Sequence, residues 1–182
     1  MHTLESDREI KEATRMSTPT QARPAFGTVL ADQMAIATFR NGRWSGHEVR
    51  PTGSIEIHPA AHVLHYASEC FEGFKAYRWA DGSIRVFRMD KHIERMRQSA
   101  RLLVLPEPDA KQLATMVLAT IDRVRDQVPE PPGALYMRPM LYGTMPNIGA
   151  ASAPSNEATL IVLASPVWDY FAGGMKPLRI YV

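Results

Sequence analysis

The chain has 182 residues and a formal net charge of +2, with 45% hydrophobic and 22% charged residues. These values are ordinary for a packed globular protein, so they argue against collagen-like, disordered and coiled-coil classes and against a strongly basic nucleic-acid-binding surface. The single cysteine, Cys70, cannot form an internal disulfide, and no apolar run approaches the length of a membrane helix, so we expect a cytoplasmic protein without membrane partners.

The first half of the chain reads as a leader followed by two hairpins. Residues 1–30 combine charges with prolines and lack the apolar core of a signal peptide, which predicts a mobile leader. The dipeptides Asn41-Gly42 and Asp81-Gly82 each interrupt a strand-like pattern and tolerate the positive φ of a tight turn. They predict hairpins over residues 34–49 and 73–87, and therefore an antiparallel sheet.

The second half of the chain predicts two amphipathic helices and two strands. Asp90 and Asp109 are candidate caps for helices that end at the prolines near positions 106 and 129. Strand patterns follow at residues 134–142 and 158–164, and the second is apolar on both faces, as in a central strand. The predicted fold is α+β, with two helices packed on one side of a mainly antiparallel sheet.

Composition changes after Pro166, where a Gly-Gly pair and a proline precede another strand-like pattern. We therefore expect a small α+β domain over residues 31–165 and an interdomain linker over residues 166–177. Residues 178–182 would then be the first strand of a truncated second domain.

Two groups of residues are weak candidates for a metal site and for a catalytic thiol. His58, His62 and His65 are close enough in sequence for a metal site, but no Cys or carboxylate run completes it, and loop or core histidines are the simpler interpretation. Cys70 near His65 could form a nucleophile and base pair, although a lone cysteine beside an aromatic residue is more often a buried apolar side chain.

Arginines and a tyrosine give stronger candidates for a binding site. Arg88 follows a predicted strand and precedes a predicted helix, where a guanidinium can grip a phosphate, although a solvated surface residue is the ordinary alternative. Tyr136 and Arg138 point to one face of an apolar strand, so the buried charge needs a partner. A ligand carboxylate and an internal salt bridge both remain open at this point.

The segment HVLHYASECFEGFKAY, residues 62–77, resembles the H-x-L-H-Y…F-E-G-x-K-A-Y signature of branched-chain amino acid aminotransferases, which are class IV pyridoxal-phosphate enzymes. Further segments match that family in order, at residues 86–88, 95–102, 136–139 and 165–171. Together they cover residues 30 to 176. The resemblance implies the small domain of this fold with pyridoxal 5'-phosphate as cofactor.

The resemblance also implies roles for individual residues. Arg88 would hold the cofactor phosphate, and Tyr136 with Arg138 would recognise the amino acid. The remaining substrate-pocket positions are Phe71 and Gly73 in the pocket wall, Tyr66 reaching across a homodimer interface, Ile148 and Ala150 as apolar contacts from the partner, and Tyr170 in the connector over the pocket. An apolar pocket fits leucine, isoleucine and valine.

The lysine that carries the cofactor is the main departure from the family pattern. The chain has five lysines, at positions 11, 75, 91, 111 and 176, and none matches the catalytic position. The resemblance places that lysine beyond Val182, so we expect this chain to be inactive alone and to form part of a cytoplasmic transaminase of branched-chain amino acid biosynthesis that uses 2-oxoglutarate. The alternatives are a D-amino acid aminotransferase, an aminodeoxychorismate lyase or a noncatalytic interaction module.

Overall fold

The computed structural model describes residues 23–149, 153–168 and 180. Within these ranges it contains one eight-stranded sheet and three α-helices, with a short 3₁₀ turn at Arg125–Gln127. The strands are β1 Gln33–Arg40, β2 Arg43–Trp44, β3 Glu48–Pro51, β4 Glu69–Phe71, β5 Phe74–Arg78, β6 Ile84–Val86, β7 Ala134–Gly143 and β8 Ala158–Val167. The helices are α1 His62–Tyr66, α2 Met89–Leu102 and α3 Ala110–Arg123.

The sheet is antiparallel at every pairing among these strands and runs in the order β2-β1-β8-β7-β5-β6. The short strand β3 pairs with β1, and β4 pairs with β7. Strand β8 lies between β1 and β7, which confirms the central position predicted from its apolar character. The α+β architecture predicted from the sequence is confirmed.

Both predicted hairpins form, because Asn41 and Gly42 adopt φ of 53° and 75° and Gly82 adopts 76°. Helix α3 begins at the predicted cap, where the Asp109 carboxylate accepts a hydrogen bond of 2.8 Å from the Gln112 amide. The predicted cap of α2 is wrong. The N-cap is Arg88, in the left-handed region at φ 50°. Asp90 lies in the first turn, where its negative charge interacts favourably with the positive end of the helix dipole.

One face of the sheet packs against helices α2 and α3 and forms the main core. Residues that alternate along the central strands, such as Leu135, Met137 and Val162, are fully buried there with Met96 and Val117 of the helices. The opposite face, which we call the open face, carries a smaller apolar cluster around Met34, Tyr142 and Ile161. Within the described ranges, no helix is long and apolar enough to cross a bilayer.

Two segment boundaries differ from expectation. Strand β8 continues to Val167, two residues into the predicted linker. Residues 23–30, assigned to the mobile leader, make specific contacts: Ser165 Oγ donates to the Val29 carbonyl at 2.6 Å, and the Phe26 ring lies 4.9 Å from the Tyr136 ring. Residues 1–22 of the leader, residues 169–177 of the linker and most of the strand predicted at 178–182 lie outside the described residues.

Candidate functional site

Tyr136 and Arg138 lie on the open face of β7, opposite the buried Leu135 and Met137 of the same strand. Both residues are half-buried. The Arg138 guanidinium donates to the Tyr136 hydroxyl from Nη2 at 2.9 Å and from Nε at 3.3 Å. The strand therefore presents a phenol and a guanidinium as one polar group, as the sequence predicts.

Phe71 completes this group from the neighbouring strand β4. The register pairs Phe71 with Met140, which places its side chain on the open face, and the Arg138 guanidinium carbon lies 4.2 Å from the centre of its ring. Arg138 forms no ion pair with a carboxylate among the described residues. Of the two alternatives left open by the sequence, the internal salt bridge is therefore absent from the described part of the chain.

Gly73 makes room for the Tyr136 side chain. A Cβ atom built on Gly73 would overlap the Tyr136 hydroxyl and lie 2.8 Å from its Cζ atom. The edge of Phe26 also meets the Tyr136 ring, with 4.9 Å between the two ring centres. The tyrosine is therefore held between a glycine and an aromatic ring, and we call Phe71, Gly73, Tyr136 and Arg138 the aromatic–guanidinium cluster.

A buried carboxylate anchors the turn between Phe71 and Gly73 to helix α2. The Glu72 side chain is 5% exposed and accepts two hydrogen bonds from Arg95, with Nε at 2.5 Å from Oε1. His92 Nδ1 lies 3.5 Å from the same carboxylate, and its ring stacks on Phe74 at 4.8 Å. The Glu72 amide also donates to the Pro139 carbonyl at 2.9 Å, which ties the turn to β7.

Sequence reasoning missed Glu72 and Arg95. The helical pattern places Arg95 on the solvent side of α2, and its side chain is indeed 60% exposed, yet it reaches back to a carboxylate that precedes it by 23 positions. The hydrogen bonds from its Nε and Nη2 to Glu72, together with the charge of that carboxylate, raise the pKa of the arginine. Glu72 lies between Phe71 and Gly73, two residues already predicted for the pocket wall, and this position is the feature of the sequence that could have identified it.

Arg88 lies at the predicted strand-to-helix corner, between β6 and α2. Its side chain is exposed and forms no hydrogen bond or ion pair with any residue that the structure describes. No described hydrogen bond or ion pair joins it to Tyr136 or Arg138. Its role toward a phosphate stays a prediction.

Tyr66 and Ile148 meet within this chain. The Tyr66 hydroxyl at the end of α1 donates to the Ile148 carbonyl in the loop after β7, and the Tyr66 ring lies 4.7 Å from that of His62. The Ile148 side chain is 68% exposed. Two of the three residues predicted to contact a partner's site are therefore neighbours, whereas the third, Ala150, and the connector residue Tyr170 lie outside the described residues.

The histidines have separate structural partners. His62 bonds Ser68 Oγ at 2.8 Å and the Ala153 carbonyl at 3.1 Å, and His65 bonds the Pro59 carbonyl at 2.9 Å. No group of three or more His, Cys, Asp or Glu side chains in the described ranges could hold a metal ion.

Cys70 is buried on the core side of β4. Burial raises the pKa of its thiol to about 11, with a further contribution from the negative charges of Glu69 and Glu72. The thiol therefore stays protonated near neutral pH, and the site offers no activated thiolate nucleophile at this position.

Comparisons with known proteins agree with these features. The family model for amino-transferase class IV matches residues 69–173. A branched-chain-amino-acid aminotransferase of Mycobacterium tuberculosis strain H37Rv is 43% identical over 164 residues, which cover 87% of this chain and 44% of that protein. The cytosolic branched-chain-amino-acid aminotransferase of Rattus norvegicus is 42% identical over 167 residues, which cover 90% of this chain and 40% of that protein.

Solved structures show the same fold. The branched-chain aminotransferase of the archaeon Thermoproteus uzoniensis, solved with norvaline, superposes with a TM-score of 0.59 at 26% identity, covering 77% of this chain and 43% of that one. The T.th. enzyme complexed with N-(5'-phosphopyridoxyl)-L-glutamate gives 0.54 at 25% identity, covering 72% and 40%. The chain thus spans less than half the length of these relatives. Because the family model matches more than half of its residues, the chain belongs to the class IV aminotransferase family.

Proposed function

We propose that this chain forms the small domain of a branched-chain amino acid transaminase that moves the amino group of leucine, isoleucine or valine to 2-oxoglutarate. The observation that carries the proposal is the aromatic–guanidinium cluster, in which Arg138 is oriented by Tyr136 and Phe71 without a carboxylate partner among the described residues. The names of the relatives at 43% and 42% identity support the substrate class.

The cluster supplies carboxylate recognition beside an apolar surface. A guanidinium that is hydrogen-bonded to a phenol keeps a fixed direction, and its remaining N–H groups are suited to a carboxylate. The Phe71 ring, 54% exposed, lies against the guanidinium and would meet the aliphatic part of a substrate. Tyr136 and Arg138 thus hold one end of the substrate, and Phe71 with Gly73 shapes the space for the other.

Pyridoxal 5'-phosphate, as the proposed cofactor, supplies the electron sink that allows an amino group to be moved between amino acid and 2-oxo acid. The T.th. structures with N-(5'-phosphopyridoxyl)-L-glutamate and with pyridoxamine 5'-phosphate support this cofactor. Arg88, whose side chain has no described partner, is proposed to hold the phosphate of this cofactor, and Tyr136 with Arg138 to hold the substrate carboxylate.

Two arginines of the α2 region are candidates for the cofactor phosphate. Arg88 is proposed from the family resemblance, and its guanidinium has no partner among the described residues. Arg95 is proposed from the geometry, because Glu72 holds its Nε and Nη2 next to Gly73 and its side chain remains 60% exposed. Glu72 already compensates the charge of Arg95 and occupies two of its N–H groups, so we expect Arg88 to matter more for cofactor retention.

The lysine that carries the cofactor is proposed to lie outside this sequence. Lys91 and Lys111 are exposed on the helices, and Lys11 and Lys176 are outside the described residues. Lys75 pairs directly with Tyr136 across β5 and β7, and it is the one lysine in the described ranges on the same face as the cluster. Adding pyridoxal phosphate to the chain, reducing with borohydride and mapping the adduct tests this; a stoichiometric adduct at Lys75 would contradict it.

We also propose a cytoplasmic homodimer acting in branched-chain amino acid biosynthesis, in which Tyr66, Ile148, Ala150 and Tyr170 contribute to substrate pockets. The exposed Ile148 side chain next to Tyr66 supports a shared surface. The cytosolic relatives from Caenorhabditis elegans and Rattus norvegicus support the compartment.

Substrate profiling of the complete enzyme tests the proposed function. We expect amino transfer from leucine, isoleucine and valine to 2-oxoglutarate, with no activity on D-alanine and no cleavage of aminodeoxychorismate. Activity on D-alanine without activity on leucine would replace the proposal by a D-amino acid aminotransferase. Lyase activity alone, or no activity with any of these substrates, would contradict it as well.

A further inference from the structure

A cleft that contains none of the aromatic–guanidinium cluster residues lies on the open face. It has a volume of about 410 Å³ and is bounded by strands β1, β3, β7 and β8 and by the segment from Ser54 to His58. Pockets of this size suit small metabolites. None of the four cluster residues lines it. We call it the β1 cleft.

The floor of the β1 cleft is a row of three hydroxyl groups on adjacent strands. The register pairs Thr38 of β1 with Thr159 of β8, and Thr159 with Tyr142 of β7, so the three side chains stand side by side on one face. Thr159 is 7% exposed and Tyr142 is 4% exposed. A polar row this deep, beside the apolar cluster of the same face, offers hydrogen bonds to a bound polar group.

Arg50 supplies positive charge over this floor. It pairs with Met34 on the same face and is half-buried, and its guanidinium forms no hydrogen bond or ion pair with any residue in the described ranges. Burial raises the pKa of Tyr142, while a hydrogen bond from Thr159 and the positive charge of Arg50 oppose that rise, so the guanidinium acts on the phenol. Arg50 and the three hydroxyl groups therefore line the same cleft.

The other charged groups of the cleft do not form an ion pair with Arg50 in the described ranges. Arg40 lies at the rim and contacts Glu157 at 3.6 Å, which neutralises it in part. Glu56 is exposed on the wall. His58 accepts a hydrogen bond at Nδ1 from the Ala60 amide, so its neutral form carries its proton at Nε2 and can donate there.

We propose that the β1 cleft is a binding site for a small molecule that carries a phosphate or carboxylate group, with Arg50 as the cation and Thr38, Thr159 and Tyr142 as hydroxyl partners. A guanidinium beside hydroxyl groups is the usual recognition chemistry for an oxyanion, and Tyr142, which accepts a hydrogen bond from Thr159, keeps its own proton to donate. The site is independent of the proposed transamination, because it shares none of the residues assigned to that reaction.

The test uses the 182-residue chain with inorganic phosphate and, separately, succinate as probes, at constant ionic strength. At about 10 mM of the preferred probe, which would saturate a site with a Kd near 1 mM, we expect backbone amide shifts in NMR spectra that centre on residues 38, 50, 142 and 159. Stronger binding of phosphate identifies a phosphorylated ligand, and stronger binding of succinate identifies a carboxylate ligand.

Two variants separate the β1 cleft from other cationic surfaces. Arg50→Met should weaken the binding of the preferred probe at least about tenfold, since it removes a charged hydrogen-bond donor. Arg43→Met, at an exposed arginine of β2 outside the cleft, should leave binding unchanged. If Arg50→Met does not fold, the shift map of the unmodified chain still decides. Three results would overturn the proposal: shifts centred on Arg88 or Arg95, equal binding by both variants, or no shifts with either probe. None of these results bears on the proposed transamination.

Discussion

Replacing Gly73 with Ala is expected to displace Tyr136 and to disorder the aromatic–guanidinium cluster. The new Cβ would overlap the tyrosine hydroxyl and come within 2.8 Å of Cζ. Tyr136 cannot move away freely, because Phe26 lies 4.9 Å from its ring and Arg138 is bonded to its hydroxyl. Overpacking of this kind lowers the free energy of unfolding by about 1 to 3 kcal/mol.

Chemical denaturation of this chain measures that loss, and Gly46→Ala is the matched control. Nothing lies within 4 Å of a Cβ at Gly46, so its substitution should change stability by less than about 0.5 kcal/mol. In the proposed complete transaminase, Gly73→Ala should also reduce turnover of branched substrates. Equal stability of the two variants would show that Gly73 does not hold Tyr136 in place.

Replacing Arg95 with Met is expected to leave the buried Glu72 carboxylate without its two strongest hydrogen bonds. Removing one partner of a buried pair costs several kcal/mol, and because the Arg95 side chain is 60% exposed we expect a smaller loss of about 2 kcal/mol in the free energy of unfolding. In the proposed complete enzyme, this variant should retain pyridoxal phosphate on dialysis better than Arg88→Met does.

The controls for Arg95 separate the ion pair from the phosphate role. Glu72→Gln with Arg95→Met should recover much of the lost stability, because no buried charge is then left unpaired. Arg88→Met should leave stability unchanged, since its side chain has no described partner. Cofactor loss with Arg95→Met and full retention with Arg88→Met would assign the phosphate to Arg95 instead.

Local signals in the sequence predicted much of the fold. Asn41-Gly42 and Asp81-Gly82 placed the hairpins, because two-residue turns need residues that accept positive φ. Asp109 placed the start of α3. The five-residue helix α1 and the three-residue strand β4 were missed, since elements this short depend on pairing with β7 and its loop and leave almost no periodic pattern.

The candidate site was predictable where one strand carries it. Tyr136 and Arg138 are two positions apart on β7, so alternation alone places them together. The contacts between Glu72 and Arg95 and between Gly73 and Tyr136 join different elements, and they depend on how β4, β5 and α2 pack against β7. The left-handed backbone of Arg88 likewise follows from the corner between β6 and α2 and not from its residue type.

The kinetics of the complete enzyme with Arg138→Met test most directly whether the aromatic–guanidinium cluster binds the substrate carboxylate. Loss of a charged hydrogen bond should lower kcat/KM for 2-oxoglutarate by about ten- to a hundredfold, with folding and cofactor content unchanged. The exposed Arg85, which pairs with Asp81 at 3.0 Å on the β5–β6 hairpin, provides the matched Arg→Met control and should keep full activity. An Arg138→Met enzyme with the kcat/KM of the unmodified protein would contradict the assignment.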